Sequence, residues 1–160
     1  GWQTPWSKDG DWYRLKGAGM VQYKQASSPG VYAFNIMLGS GGGLFRGKDL
    51  EWFANYRDAR NYVLFRLEKT TLRRIVVENG KRTEYPKRPH NLDLRDGMMA
   101  SVQVEVTDDV IVNRLKRGDS WVIADTYVVR GGKLTEGRFG IHVIGNDEVR
   151  ISGFSFTPKE

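Results

Sequence analysis

Ser101-Val102-Gln103-Val104-Glu105-Val106-Thr107 alternates without a break, apolar at every even position and polar at every odd one. Successive side chains of a β-strand point to opposite sides, so this is a strand with one buried and one solvated face. Working outward, Asp108-Asp109 marks a turn into a second strand at 110–114, and Gly118-Asp119-Ser120 a turn into a third at 121–129, which ends at Gly131-Gly132. The closing pair, 137–144 and 148–156, is joined at 145–147, with Gly153 placed to form a bulge. Upstream, 31–38 puts Tyr32, Phe34, Ile36 and Leu38 on one face, and 61–67 aligns Asn61, Val63, Phe65 and Leu67. Between residues 72–78 and 82–85 stands Asn79-Gly80, whose tolerance of positive φ makes it a hairpin turn. Residues 13–16 and 20–24 read as a further hairpin through Gly17 and Gly19. Only 50–61 carries any trace of helical period. The chain is therefore expected to be all-β, with around a dozen short strands in a two-sheet antiparallel sandwich.

Composition sets the limits of function. At 160 residues the chain fits a single domain, 1–160, large enough to bury about 70% of the surface its unfolded form exposes. No apolar run approaches the roughly 18 residues of a membrane span. With 0 cysteines, disulfides, thiol nucleophiles and thiolate metal sites are all excluded. The net charge of +6 suits an anionic partner, though it serves solubility equally well. Trp2, Trp6 and Trp12 put three of the 5 tryptophans near the start, so this segment is expected to be pinned to the domain. Trp121 reads as a core residue.

The order of signals, from a Trp strand through Asn61-Tyr62-Val63-Leu64-Phe65 and Val-x-Val-x-Val to Leu134-Thr-Glu-Gly137-Arg-Phe-Gly140-Ile and Val149-x-Ile-x-Gly-Phe-x-Phe, resembles the concanavalin A-like lectin/glucanase superfamily. The resemblance is nearest to its laminin-G-like and 3-keto-disaccharide-hydrolase-like bacterial branches. It implies a jelly-roll sandwich with a concave sheet face able to bind glycans, and an extracellular or periplasmic location. Gly137 and Gly140 would serve turns and close approach, with Phe154 and Phe156 anchoring the last strand.

Glycan sites combine an aromatic platform with forked polar groups. The stretch 49–68 supplies both. Its candidate ligand residues are Trp52, Tyr56, Tyr62 and Arg66, with His142 joining them if its face of the sheet is the concave one; for Trp52 the core is the commoner home. Asp49 and Glu51, at i and i+2 on one strand face, are the weak catalytic candidates, since glycoside hydrolysis needs paired carboxyls across a cleft. His90 and His142 have no zinc or Ser-His spacing, so no metal ligand set is assigned. Structural calcium has loop candidates in Asp9/Asp11, Asp108/Asp109 and Asn146/Asp147, none with a diagnostic spacing. A basic groove with interleaved stacking aromatics is absent, which argues against nucleic acid.

Three readings of function result. The first is a carbohydrate-binding or accessory module of a larger bacterial envelope or secreted protein. The second is a sugar-acting hydrolase, and the third a protein-interaction domain using the basic hairpin at 81–88.

Overall fold

The computed structural model describes residues 1–17, 19–24, 29–38, 49–92, 94, 99–145 and 147–159. Asn146, one of the calcium candidates, lies outside the described residues, as do most of the loop that the sequence predicts at 25–30, its glycine run at 39–43 and its turn at 95–97. In chain order the strands are β1 (Ser7–Asp9), β2 (Trp12–Lys16), β3 (Gly19–Gln22), β4 (Gly30–Leu38), β5 (Leu50–Asp58), β6 (Asn61–Leu67) and β7 (Thr71–Glu78). They continue with β8 (Lys81–Glu84), β9 (Arg88–Pro89), β10 (Ala100–Val106), β11 (Val110–Arg117), β12 (Ser120–Val128), β13 (Arg138–Val143) and β14 (Glu148–Pro158), with one 3-10 turn at Gly132–Leu134. One sheet runs β1-β2-β14-β4-β10-β11-β12, and the other β3-β13-β5-β6-β7-β8 with β9 also on β7. The named pairings are antiparallel. This is the expected two-sheet antiparallel sandwich.

Alternation places the core. In β10 the three valines are buried while Ser101, Gln103 and Glu105 are not, and β4 opposes it with Tyr32, Phe34 and Ile36 buried. From the other sheet, Trp52, Val63, Phe65 and Phe139 complete the layer between the sheets. The turn after β7 takes the left-handed conformations its sequence favours, with φ of 53° at Asn79 and 80° at Gly80. Gly153, at φ 59°, falls where the β14–β4 register shifts between Ser152 and Ser155. The N-terminal segment is pinned: Trp2 bridges to Tyr23 and packs its ring against Trp6 and Phe154, at centroid distances of 5.3 and 4.9 Å.

Three expectations need correction. Residues 13–16 and 20–24 form no hairpin, because β2 pairs with β1 and β14 in one sheet while β3 pairs with β13 in the other. The connection at Gly17 crosses between sheets, a choice that local turn chemistry does not reveal. Residues 50–58 are a strand, their burial on both faces having mimicked a helical spacing. Trp121 lies outside the core, 39% exposed beside Ile123 at 59%, because β12 is the last strand of its sheet and register opposes these two to Lys116 and Arg114 on the outer face.

An inward-facing charge ties the two sheets together. Arg74 on β7 donates through Nη1 to both carboxylate oxygens of Asp125 on β12, at 2.9 and 2.7 Å. Its guanidinium carbon lies over both the Tyr85 and Tyr127 rings, 4.3 and 4.5 Å from their centroids. Asp125→Ala is expected to destabilise the protein by about 3–5 kcal/mol, because a buried guanidinium loses its counter-charge. Adding Arg74→Met should recover part of that loss, and denaturant unfolding of the single and double variants measures both.

Candidate functional site

The site is the outer face of the second sheet. Register arranges this face in rows across the strands. In the first row His142 on β13 lies opposite Glu51 on β5, Glu51 opposite Arg66 on β6, and Arg66 opposite Arg73 on β7. The second is Gly140, Phe53, Leu64, Ile75 and, on β8, Glu84. Tyr56 and Tyr62 make an aromatic end, with Val77 and Arg82 continuing from Tyr62. The face thus carries a charged row, an apolar row and an aromatic row.

The charged row centres on Glu51, whose side chain is 3% exposed. Arg66 Nε donates to Glu51 Oε2 at 2.9 Å, and His142 Nδ1 stands 2.8 Å from Oε1. An ionised carboxylate only accepts, so the proton of this second bond resides on Nδ1 of His142. Burial alone would push the Glu51 carboxyl up, but the hydrogen bonds from His142 and Arg66, with their charges, outweigh it and hold the group below its ordinary value. Arg66 responds in the opposite sense: burial pulls it down, yet the bond and charge of Glu51 leave it raised. Asp49, just before β5, is raised by burial and by the neighbouring Glu68, with Arg66 opposing. The two carboxyls are therefore pushed apart.

The apolar row is the floor. Phe53, Leu64 and Ile75 are 0, 4 and 0% exposed although they face away from the main core, with Met20, Tyr56 and Tyr62 packed against them. Gly140 is required beneath the Phe53 ring, since a Cβ there would come within 2.1 Å of Phe53 Cζ and 2.3 Å of the Val21 carbonyl oxygen.

The aromatic row depends on a bulge. Simple alternation would send Tyr56 inward with Trp52 and Ala54. Instead the β5–β6 register shifts between Ala54 and Asp58, and Asn55 adopts φ 52°. Asn55 is buried and donates through Nδ2 to the Leu134 carbonyl at 2.7 Å. Gly137 admits this bulge, because a Cβ at its position would sit 2.3 Å from the Asn55 backbone. The result turns Tyr56 outward, 5.1 Å from Phe53 and stacked on Tyr62 at 5.4 Å.

Tyr56, Tyr62, Arg66, His142 and Glu51 thus share one face, with Asp49 at its margin. Trp52 is excluded from this surface, a correction to its place among the ligand candidates. It is 0% exposed and donates through Nε1 to Asn113 Oδ1 of the opposite sheet at 2.8 Å. His90 makes a separate arrangement, with Nε2 on the Glu68 carbonyl and Nδ1 accepting from the Leu92 amide. Among the described residues no three His, Asp or Glu side chains gather as metal ligands. Asp9 is engaged by Arg150 at 3.4 Å, and Asp109 accepts from Thr107 at 3.1 Å. Among the described residues, no helix is long and apolar enough to cross a membrane.

Sequence reading missed Arg73, Glu84, Phe53 and Asn55. The first two were within reach, since the Asn79-Gly80 turn fixes the β8 register and alternation along β7 sets Arg73 with Ile75 and Val77. Nothing local announces a bulge at Asn55.

Comparison of the sequence with protein-family models and with curated proteins gave no match. Solved structures do match in fold. The carbohydrate-binding module CBM66 of Bacillus subtilis superposes with a TM-score of 0.70 at 16% identity, over 98% of this chain and 94% of that one. A GH43 protein of Bacillus licheniformis gives 0.66 at 13% identity, over 97% of this chain and 35% of that one. Sheep galectin-11, solved with glycerol, gives 0.55 at 11%, over 85% and 97%. What these structures share with this chain is the fold, a two-sheet antiparallel β-sandwich.

The depressed Glu51 carboxyl has a pH signature. A carboxyl held below its unfolded value of 4.5 stabilises fully above that pH and loses its contribution as pH falls through the folded value. Glu51→Gln should therefore be less stable than the parent near neutrality and show a shallower loss of stability below pH 4.5. Urea unfolding from about pH 7 to about pH 3 measures the difference.

Proposed function

We propose that this domain recognises carbohydrate on the outer face of its second sheet and acts as an accessory module of a larger bacterial envelope or secreted protein. The observation that carries this reading is that the Tyr56–Tyr62 pair and the Glu51–Arg66–His142 row share one sheet face, with the apolar row between them, so that an aromatic surface and fixed polar groups look the same way. Stacking suits the C–H face of a sugar, and hydrogen-bonding forks suit its hydroxyls. The fold neighbours support it: one is named a carbohydrate-binding module, and another is a GH43 protein of which this chain spans about a third. An extracellular or periplasmic location and a place near the laminin-G-like or keto-disaccharide-hydrolase-like branches belong to the same proposal.

A hydrolase reading draws on Asp49 and Glu51, whose carboxyls are shifted in opposite directions, as acid and base partners are. Recognition is favoured because both oxygens of Glu51 are already engaged, one by His142 and the other by Arg66. Three of the four cations of the basic hairpin already face carboxylates: Arg82 pairs with Glu84, Lys87 with Glu68, and Arg88 lies 3.6 Å from Asp125.

On a glycan array the domain is expected to bind a defined subset of sugars at or below about millimolar concentration. Tyr62→Ala should weaken that binding about tenfold or more, a loss of about 1.4 kcal/mol, while leaving the fold intact. Trp52→Ala should instead destabilise by about 3–5 kcal/mol. Absence of binding to every neutral and acidic glycan would overturn the reading, and release of reducing ends that Asp49→Asn abolishes would favour the hydrolase.

A further inference from the structure

The charged row contains one joint that no hydrogen bond between described residues spans. Arg66 and Arg73 are directly opposite on adjacent strands and on the same face. Like charges in that relation repel unless something neutralises them. Each is hydrogen-bonded to a carboxylate on its far side, and the charges of Asp49 and Glu84 also act on Arg66. Glu51 reaches Arg66 from β5, and Glu84 reaches Arg73 from β8, the strands that flank the β6–β7 pair. Among the described residues no acceptor bridges the two guanidiniums.

Donor capacity is left over at the same place. Arg66 uses Nε on Glu51, and its terminal nitrogens have no hydrogen bond to a described residue. Arg73 spends only Nη1, on a long 3.3 Å contact with Glu84, and its other terminal nitrogen has no hydrogen bond to a described residue. Both side chains remain reachable, at 25 and 24% exposed. Leu64 and Ile75 lie beside the two arginines in the neighbouring row, and Tyr62 lies beyond Leu64 on β6.

From this arrangement we infer that the glycan taken by this face carries an oxyanion, a carboxylate or a sulfate, seated between the Arg66 and Arg73 forks. The inference rests on the carbohydrate reading above and narrows it to acidic sugars. A planar or tetrahedral oxyanion accepts two or more N–H groups at once, which suits paired guanidiniums better than lysines. The charge of the ligand would also relieve the repulsion across the joint, so binding should weaken as salt rises.

Matched probes separate the outcomes. Calorimetric titration would compare an oligogalacturonate with its methyl ester, and a sulfated heparin oligosaccharide with its desulfated form, alongside a panel of neutral oligosaccharides. The charged member of one pair is expected to bind about tenfold or more tightly than its uncharged partner. Which pair shows the preference identifies carboxylate or sulfate as the group. Arg73→Gln should erase that preference, and Arg73→Lys, which keeps the charge but not the fork, should lose part of it. Thermal unfolding of both variants confirms that the fold is kept, and Arg73→Lys carries the test should Arg73→Gln unfold. Equal affinity within both pairs would overturn this inference and leave the carbohydrate reading standing, as would a charge preference that survives in both Arg73 variants. Failure of the parent protein to bind any probe, neutral or charged, would overturn both.

Discussion

Strand β5 is buried on both of its faces, and the arrangement around the candidate site follows from that constraint. Leu50, Trp52 and Ala54 enter the layer between the sheets, while Glu51 and Phe53 are enclosed on the opposite side. A strand in this position must satisfy each polar group it carries. Trp52 does so across the sandwich, through Asn113, and Glu51 does so along its own sheet, through His142 and Arg66. Neighbours give way sterically as well: β13 presents Gly140 where the Phe53 ring lies.

The Asn55 bulge is where this strand changes the use of its faces. Up to Ala54 the inward side feeds the core, and after the bulge Tyr56 joins Phe53 on the outer side. Residues held at positive φ without being glycine are uncommon and persist where the surroundings over-determine them. Here the Leu134 carbonyl and the close approach of Gly137 do so. The same structural economy appears on β7, which sends Arg74 inward to Asp125 and Arg73 outward to Glu84. Adjacent arginines in sequence thus serve a clamp between sheets and the charged row of the outer face.

Much of the sandwich was legible because β-structure writes a period of two into the sequence. Val102-x-Val104-x-Val106, the Asn79-Gly80 turn and the Gly153 bulge each mean the same thing locally and in the folded chain. Tyr62 and Arg66 could be assigned to one side of β6 for this reason alone. Trp52 could not be separated from them by composition, since a large aromatic ring suits a platform and a core equally. The register of β5 against β6 and β13 decides it. Trp121 went the other way: alternation set its side, but its exposure followed from β12 being the edge of its sheet, and strand order is not written in any single strand.

Local pattern alone is enough to read an all-β chain, the location of most of its strands and turns, and which residues of 61–67 share a face, because these depend on neighbours one or two positions away. It takes the assembled sandwich to part β2 and β3 into different sheets, to set Glu51 between Arg66 and His142, residues 15 and 91 positions away, and to bring Arg73 opposite Arg66. Such relations are set by which strands become neighbours. That choice is made by the packing of the whole sandwich, through contacts between segments far apart in the chain.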